Sequence, residues 1–349
     1  MKGRRSRQPC QAVKSEMATY NRVFPTKEQE RASKKQACGI TGPSSAALRV
    51  RVLSVNFGKN GQMGRFELVV LGVAQDAGLP HLGCTQPCCA SARVHGRREE
   101  PACIAVYDTE TGGRVVIDAT WALPEQLALL QACTGQDAHL PDAIVLTHAH
   151  IGHYTGLMFL GREGIAACGL PVHCSQAMAA FLGSNQPWSQ LISDGHITLV
   201  PFEAGGFFEP LPEGLRMRAV PVPHRNEHAD TMAFRIEADG STALYCPDID
   251  AWGDELHALL DGVDVALLDG TFCSPDELDG RAMDEIPHPL LFDSMALLAD
   301  RAQKQRILFT HFNHTNPVFH DDAVVARIEA AGFECARKGL RVGLDGTRN

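Results

Sequence analysis

Leu146-Thr147-His148-Ala149-His150-Ile151-Gly152-His153-Tyr154-Thr155-Gly156 places three imidazoles within six residues, directly after the apolar run Ala143-Ile144-Val145-Leu146. Bounded by Pro141-Asp142, that run reads as a buried strand. The histidines then sit on the turn at its carboxyl end, where open α/β sheets place their chemistry. Neutral imidazole is the commonest nitrogen ligand of zinc and related metals. Three of them on one tight loop can aim several nitrogens at one point with little chain entropy to lose. The competing reading, a polar surface loop, loses ground because ligand-type residues recur downstream.

Ala219-Val220-Pro221-Val222-Pro223 is followed by His224, Leu244-Tyr245-Cys246-Pro247 by Asp248, and Ile307-Leu308-Phe309-Thr310 by His311. Each ligand-type residue lies just beyond an apolar run, so all can converge on one edge of a sheet. A carboxylate among imidazoles also suits two divalent ions, because its two oxygens can bridge them. From residue 66 onward, apolar runs alternate with helical patterns. Strands are expected at 66–71, 103–107, 114–118, 143–146, 197–200, 216–220, 232–236, 243–246, 263–268 and 306–309. Helices are expected near 121–133, 153–165, 175–183, 252–261, 289–302 and 320–331. The absence of a long linker predicts a single α/β domain.

Composition narrows the partners. At 349 residues and 44% hydrophobic content, the chain can bury a large core in one or two domains. No apolar run reaches the roughly 18 residues of a membrane span. The net charge of −9 is unevenly spread: residues 1–65 carry 14 Lys/Arg against 3 Asp/Glu, the remainder 18 against 38. An acidic body argues against nucleic acid and for a small-molecule substrate. Residues 1–65 show no apolar periodicity and no signal-peptide core, and read as a basic, flexible N-terminal extension. Translation starting at Met63 is a second reading. An organelle-targeting segment, which Glu16, Glu28 and Glu30 would interrupt, is a third.

Twelve cysteines without a secretory signal point to a reducing cytoplasm, most of them serving as small buried hydrophobes. The exception is His81-Leu82-Gly83-Cys84-Thr85-Gln86-Pro87-Cys88-Cys89, soft ligands at short spacing in a turn-like setting. Cys84, Cys88 and Cys89, with His81 as a fourth candidate, read either as a structural zinc knuckle or as a loop that binds nothing.

The Ile117-Asp118 strand end, the His148–His153 loop, and His224, Asp248 and His311 in that order resemble the metallo-β-lactamase superfamily over about residues 66–345. The opening Leu71-Gly72-Val73-Ala74-Gln75-Asp76-Ala77-Gly78-Leu79-Pro80, the knuckle at 84–89 and the closing His314-Thr315-Asn316-Pro317 are most similar to the branch of pyrroloquinoline quinone (PQQ) biosynthesis protein B. The resemblance implies a four-layer αββα sandwich over residues 66–349 with the metals in a cleft between two sheet-bearing halves. It implies that His148, His150 and His224 hold a first ion and His153 and His311 a second, with Asp248 bridging. Asp118 is then a supporting group. Two departures stand out. Gly152 occupies a place where the superfamily usually has Asp, which implies a weaker second site or a single ion, with Asp250, His288 and His314 as compensating or supporting groups. The knuckle also reads Cys84, Gln86, Cys89 where the branch has three cysteines, and gains Cys88. The implied function is a zinc-dependent hydrolase of a phosphodiester or ester-type bond, with iron or manganese as other candidate metals. One alternative is an iron enzyme acting oxidatively on a tyrosine-derived precursor. Another is a metal-binding protein without catalysis.

Overall fold

Along the first strand, Phe66, Leu68 and Val70 alternate with Val69 and Leu71, and the two sets enter different hydrophobic layers. That period of two is what a strand buried on both faces imposes. The computed structural model describes residues 64–136, 140–278 and 286–345, so the expected N-terminal extension lies outside the described residues except for Gly64 and Arg65.

The strands in chain order are β1 (Phe66–Gly72), β2 (Cys103–Asp108), β3 (Arg114–Ile117), β4 (Ala143–Val145), β5 (Leu170–Ser175), β6 (Ile197–Phe202), β7 (Phe207–Phe208), β8 (Leu215–Pro221), β9 (Met232–Ala238), β10 (Ser241–Cys246), β11 (Val265–Asp269), β12 (Arg306–Thr310), β13 (Glu334–Cys335) and β14 (Arg341–Leu344). They form two seven-stranded sheets, ordered β14-β1-β2-β3-β4-β5-β6 and β13-β12-β11-β10-β9-β8-β7. The last strand therefore returns to the first sheet, with Phe66 opposite Leu344. Between the sheets, Leu68, Val106 and Ile117 share a core with Met217, Phe234 and Leu244. Outside the first sheet, Val69 and Val116 pack with Leu123 and Leu130 of the helix Leu123–Thr134 and with Met178 and Leu182 of Gln176–Ser184. Helices Leu291–Ala302 and Asp322–Ala330 bury Leu291, Leu298 and Ile328 against the second. The result is the αββα sandwich that the family resemblance implies. Among the described residues, no helix is long and apolar enough to cross a membrane.

Two local expectations need correction, and one strand was not foreseen. The helix expected at 153–165 is a single turn, Ile151–Tyr154, followed by the 3₁₀ segment Thr155–Leu160. Its buried residues are Gly156, Leu157 and Leu160, and the two leucines lie three apart, the spacing a 3₁₀ helix aligns on one face. Cys88 and Cys89 lie not in a turn but in the first turn of a helix, Pro87–His95, which starts on proline and stops at left-handed Gly96. Strand β5 escapes the sequence reading because Pro171 argues against an interior strand, yet it runs between β4 and β6.

Candidate metal centre

Strand direction gathers the site. β3 and β4 are parallel, as are β10, β11 and β12. β1 and β8 each reach β3 or β10 through one antiparallel neighbour, so they run the same way as those strands. The carboxyl ends of all these strands thus carry the segments that supply polar side chains: Asp76 after β1, Asp118 after β3, His148–His153 after β4, His224 after β8, Asp248 after β10, Asp269 ending β11, and His311 after β12.

Asp248 is the meeting point. Its Oδ2 lies 3.3 Å from His148 Nε2, 3.2 Å from His224 Nε2, 3.6 Å from His311 Nε2, 3.9 Å from His153 Nε2 and 4.0 Å from His150 Nδ1. His148, His150, His224 and Asp248 form one mutually close ligand set; Asp76, His153 and His311 form a second. A third set, Asp248, Asp269, His288 and His311, overlaps both halves. His150 keeps its Nε2 on Glu227, 3.1 Å away, and turns Nδ1 toward His224 Nε2 at 3.0 Å.

Each half supports its imidazoles in the same way. Asp118, buried at the end of β3, accepts from the Thr147 amide (2.9 Å), the Thr147 hydroxyl (2.8 Å) and His153 Nδ1 (2.7 Å). The Thr147 oxygen in turn accepts from His148 Nδ1 at 2.9 Å. In the second half, Asp269 accepts from the Thr271 amide and hydroxyl, both at 2.8 Å, and from His288 Nδ1 at 2.8 Å. The Thr271 oxygen accepts from His311 Nδ1 at 2.9 Å. Asp250 accepts from His224 Nδ1 at 2.7 Å. These carboxylates and hydroxyls hold each ring by Nδ1 and so set its orientation.

Burial alone would lower the pKa of His153, but the charge and hydrogen bond of Asp118, with Asp76 opposite, hold it well above the usual histidine value. Burial, and then the charge of His153, push His148 well below that value. Burial would also raise Asp248, yet His311, His148 and His224 outweigh it and keep the carboxyl well below the ordinary range. His288, despite burial, is raised to about 9 by Asp269.

The space beside Gly152 is filled from another part of the chain. A Cβ on Gly152 would stand 2.6 Å from Asp76 Cα and 2.9 Å from Asp76 Cβ, and would run into its Oδ1. Asp76 therefore fills the room beside His153 that Gly152 leaves, with Oδ1 3.3 Å from His153 Nε2. Burial tends to raise Asp76, but His153 and His311 hold its carboxyl below the ordinary range. Gly152 has no positive φ, so close approach rather than backbone conformation requires glycine here. Asp250 and His288 contact the centre as supports, whereas His314 lies elsewhere, beside Cys88 and Cys89. Asp76 and Asp269 escape the sequence reading, although both lie near the ends of apolar runs, the signal that singles out His224, Asp248 and His311.

A beta-lactamase superfamily domain matches residues 113–312, more than half of the chain. The chain belongs to the metallo-β-lactamase superfamily. Within it, this metallo-β-lactamase-fold chain is 30% identical over 305 residues to the "Coenzyme PQQ synthesis protein B" of Cupriavidus necator, covering 79% of this chain and 98% of that protein. It is similar to zinc-bound PqqB from Methylobacterium extorquens, with a TM-score of 0.69 and 24% identity across 80% of this chain and 100% of that one. It also shares its fold with a diphosphatase of the PhnP family, at a TM-score of 0.60 and 23% identity over 79% and 96% of the two chains.

The donor set of this metallo-β-lactamase-fold chain fits divalent ions. His148 Nε2, His153 Nε2, His311 Nε2, Asp248 Oδ1 and Asp76 Oδ1 are buried and make no hydrogen bond. Ligands held at about 2.1 Å around one tetrahedral ion stand about 3.4 Å apart. The separations around Asp248 Oδ2 bracket that figure. The knuckle residues form a separate set: Cys84, Cys88 and Cys89 cluster with His314, whose Nδ1 lies 3.4 Å from Cys89 Sγ and 3.7 Å from Cys88 Sγ. His81, the fourth candidate from the sequence, is outside that set. Its ring packs 4.6 Å from that of His314, and its amide donates to Cys89 Sγ at 3.2 Å.

Proposed function

We propose that this chain is a metal-dependent hydrolase that cleaves a phosphodiester, or second an ester-type bond, at the centre around Asp248. The observation that carries this reading is the pair of ligand sets on either side of one buried carboxylate, with several inward donor atoms free of hydrogen bonds. In this reading His148, His150 and His224 hold a first ion, His153 and His311 hold a second, and Asp248 lies between them. Zinc is the first choice of metal; iron and manganese suit the same donors. Divalent ions bound there supply Lewis-acid polarisation of the substrate oxygen and acidify water to a pKa of about 7. A pair of cations complements the two oxygens of an in-line phosphoryl displacement, which is why the phosphodiester comes first. Asp118, Asp250 and Asp269 hold the imidazoles in place, and His288 joins Asp269 to the rim of the ligand set. Cys84, Cys88, Cys89 and His314 form a separate structural zinc site in the same proposal.

A second reading has its own observation. Asp76, His153 and His311 make a set of two histidines and one carboxylate, a combination that suits non-haem iron. An iron-dependent oxidation of a tyrosine-derived precursor, in keeping with the PQQ synthesis proteins it resembles, would use that set.

The test pairs metal content with turnover. Protein purified anaerobically is expected to carry zinc or manganese and to hydrolyse bis-p-nitrophenyl phosphate. The variant with both His148→Ala and His150→Ala is expected to lose the first ion and all turnover. A full metal complement in that variant, or undiminished hydrolysis by metal-stripped protein, overturns the hydrolytic assignment; iron alone with no hydrolysis favours the second reading.

A further inference from the structure

We infer that the carboxylate missing from the histidine loop has been replaced from a different part of the chain: Asp76 is a ligand of the second ion, facing His153 and His311. The inference rests on the proposed two-ion reading and deepens it. A carboxylate at position 152 would approach His153 from its own loop. Here that loop has glycine, and Asp76 occupies the vacated volume so closely that any side chain at 152 would meet its backbone. The two positions thus exclude one another sterically.

The loop that carries Asp76 is built to hold it still. The Gln75 amide donates to the Phe312 carbonyl at 2.8 Å, tying this loop to the residue after His311. The Gly78 amide closes a turn onto the Gln75 carbonyl at 2.8 Å, with Gly78 at φ +72°. Trp121 Nε1 donates to the Asp76 carbonyl at 2.7 Å. A Cβ at Gly78 would stand 2.8 Å from the Glu99 carbonyl oxygen and 3.0 Å from the Trp121 ring, so the turn fits only glycine. With its backbone anchored on three sides, Asp76 presents a buried Oδ1 that faces His153 Nε2 at 3.3 Å and shares a ligand set with His311, and none of the three atoms meets hydrogen-bond geometry. An ordinary structural aspartate would use that oxygen for a hydrogen bond, since leaving a buried acceptor unmade is costly. A divalent cation satisfies all three atoms together.

The test uses the full chain, stripped of metal and titrated with zinc against a chelating indicator, and separately loaded with manganese for electron paramagnetic resonance. The parent is expected to bind two zinc ions in the cleft, besides the one at the cysteine set, and to show a coupled manganese pair. Asp76→Asn keeps the shape of the side chain but loses its charge. It is expected to leave the first binding step unchanged, weaken the second about tenfold or more, and convert the manganese signal to that of an isolated ion. Asp76→Ala should do the same, with the metal-free melting temperature of both variants near the parent's. If the parent binds two ions and Asp76→Asn binds both equally well, Asp76 is no ligand, while the two-ion reading stands. Loss of both ions together marks Asp76 as structural and overturns the inference. A parent that binds a single ion, unaffected by Asp76→Asn, overturns both.

Discussion

Asp118 shows what one side chain can do for several others. It is fully buried, takes φ +73° outside glycine's usual company, and accepts hydrogen bonds from Thr147 and His153. His311, at φ +62°, is held in the same uncommon region. Such backbone positions cost on the order of 1–3 kcal/mol and persist where surrounding contacts over-determine them. Asp118→Asn should preserve the fold but remove the charge that orients His153 and, through Thr147, His148. Metal affinity is expected to fall by about 10–100-fold, measured by chelator competition. Affinity equal to the parent's would leave Asp118 without that role. The histidines themselves were legible from their spacing, because three on six residues is a local pattern. Asp118 was legible only through the family resemblance, as a supporting group at a strand end, and Asp76 not at all as a site residue. Its partners, His153 and His311, are 77 and 235 positions away, and nothing in a linear reading ranks it above other aspartates.

At the scale of elements, periodicity located most strands, since a strand buried on both faces is a short apolar run wherever it falls. It failed where the local residues argue the other way, as Pro171 does in β5, or where a strand is two residues long, as β7 and β13 are. The helix Pro87–His95 carried start and stop signals in Pro87 and Gly96, but its cysteines drew the reading toward a turn. Its first turn sets Cys88 and Cys89 against His314, from the loop that follows His311. If that set holds a structural zinc, Cys84→Ser should lower the melting temperature and remove one zinc per chain, while turnover per cleft ion stays the same. An unchanged melting curve with unchanged zinc stoichiometry would show that the cysteines have no metal role.

Over the whole molecule, a strand from the far end of the chain completes the edge of the first sheet. β14 pairs with β1, and Arg341 makes a hydrogen-bonded ion pair with fully buried Glu67 while its Nη1 donates to the Cys133 carbonyl at 2.9 Å. Arg341→Ala would leave Glu67 buried without its charge partner, a loss of about 3–5 kcal/mol. A clear fall in denaturant midpoint is expected, with cleft metal stoichiometry retained below the transition. A midpoint within error of the parent's would show that β14 docks without this pair. The order of runs and helices gave a single α/β domain, and the αββα layering came from the family resemblance; this closing strand came from neither, because four residues near a terminus carry too little pattern.

The spread of candidate ligands from Asp76 to His311 also has a consequence for biosynthesis. As the chain leaves the ribosome, His148, His150 and His153 emerge together, long before Asp248 and His311. In a free peptide, such a triplet takes metals in order of intrinsic affinity, copper ahead of zinc and both ahead of manganese or iron. In the finished protein the same imidazoles are clamped by Asp118 and Thr147, and the cluster closes only when the second half has folded over them. If the histidines hold metal as proposed, pairing of β4 with β3 alone does not complete the ligand set, and the full cage waits on Asp248 and His311. The choice of metal then falls to the geometry of the assembled cage rather than to the appetite of a nascent chain.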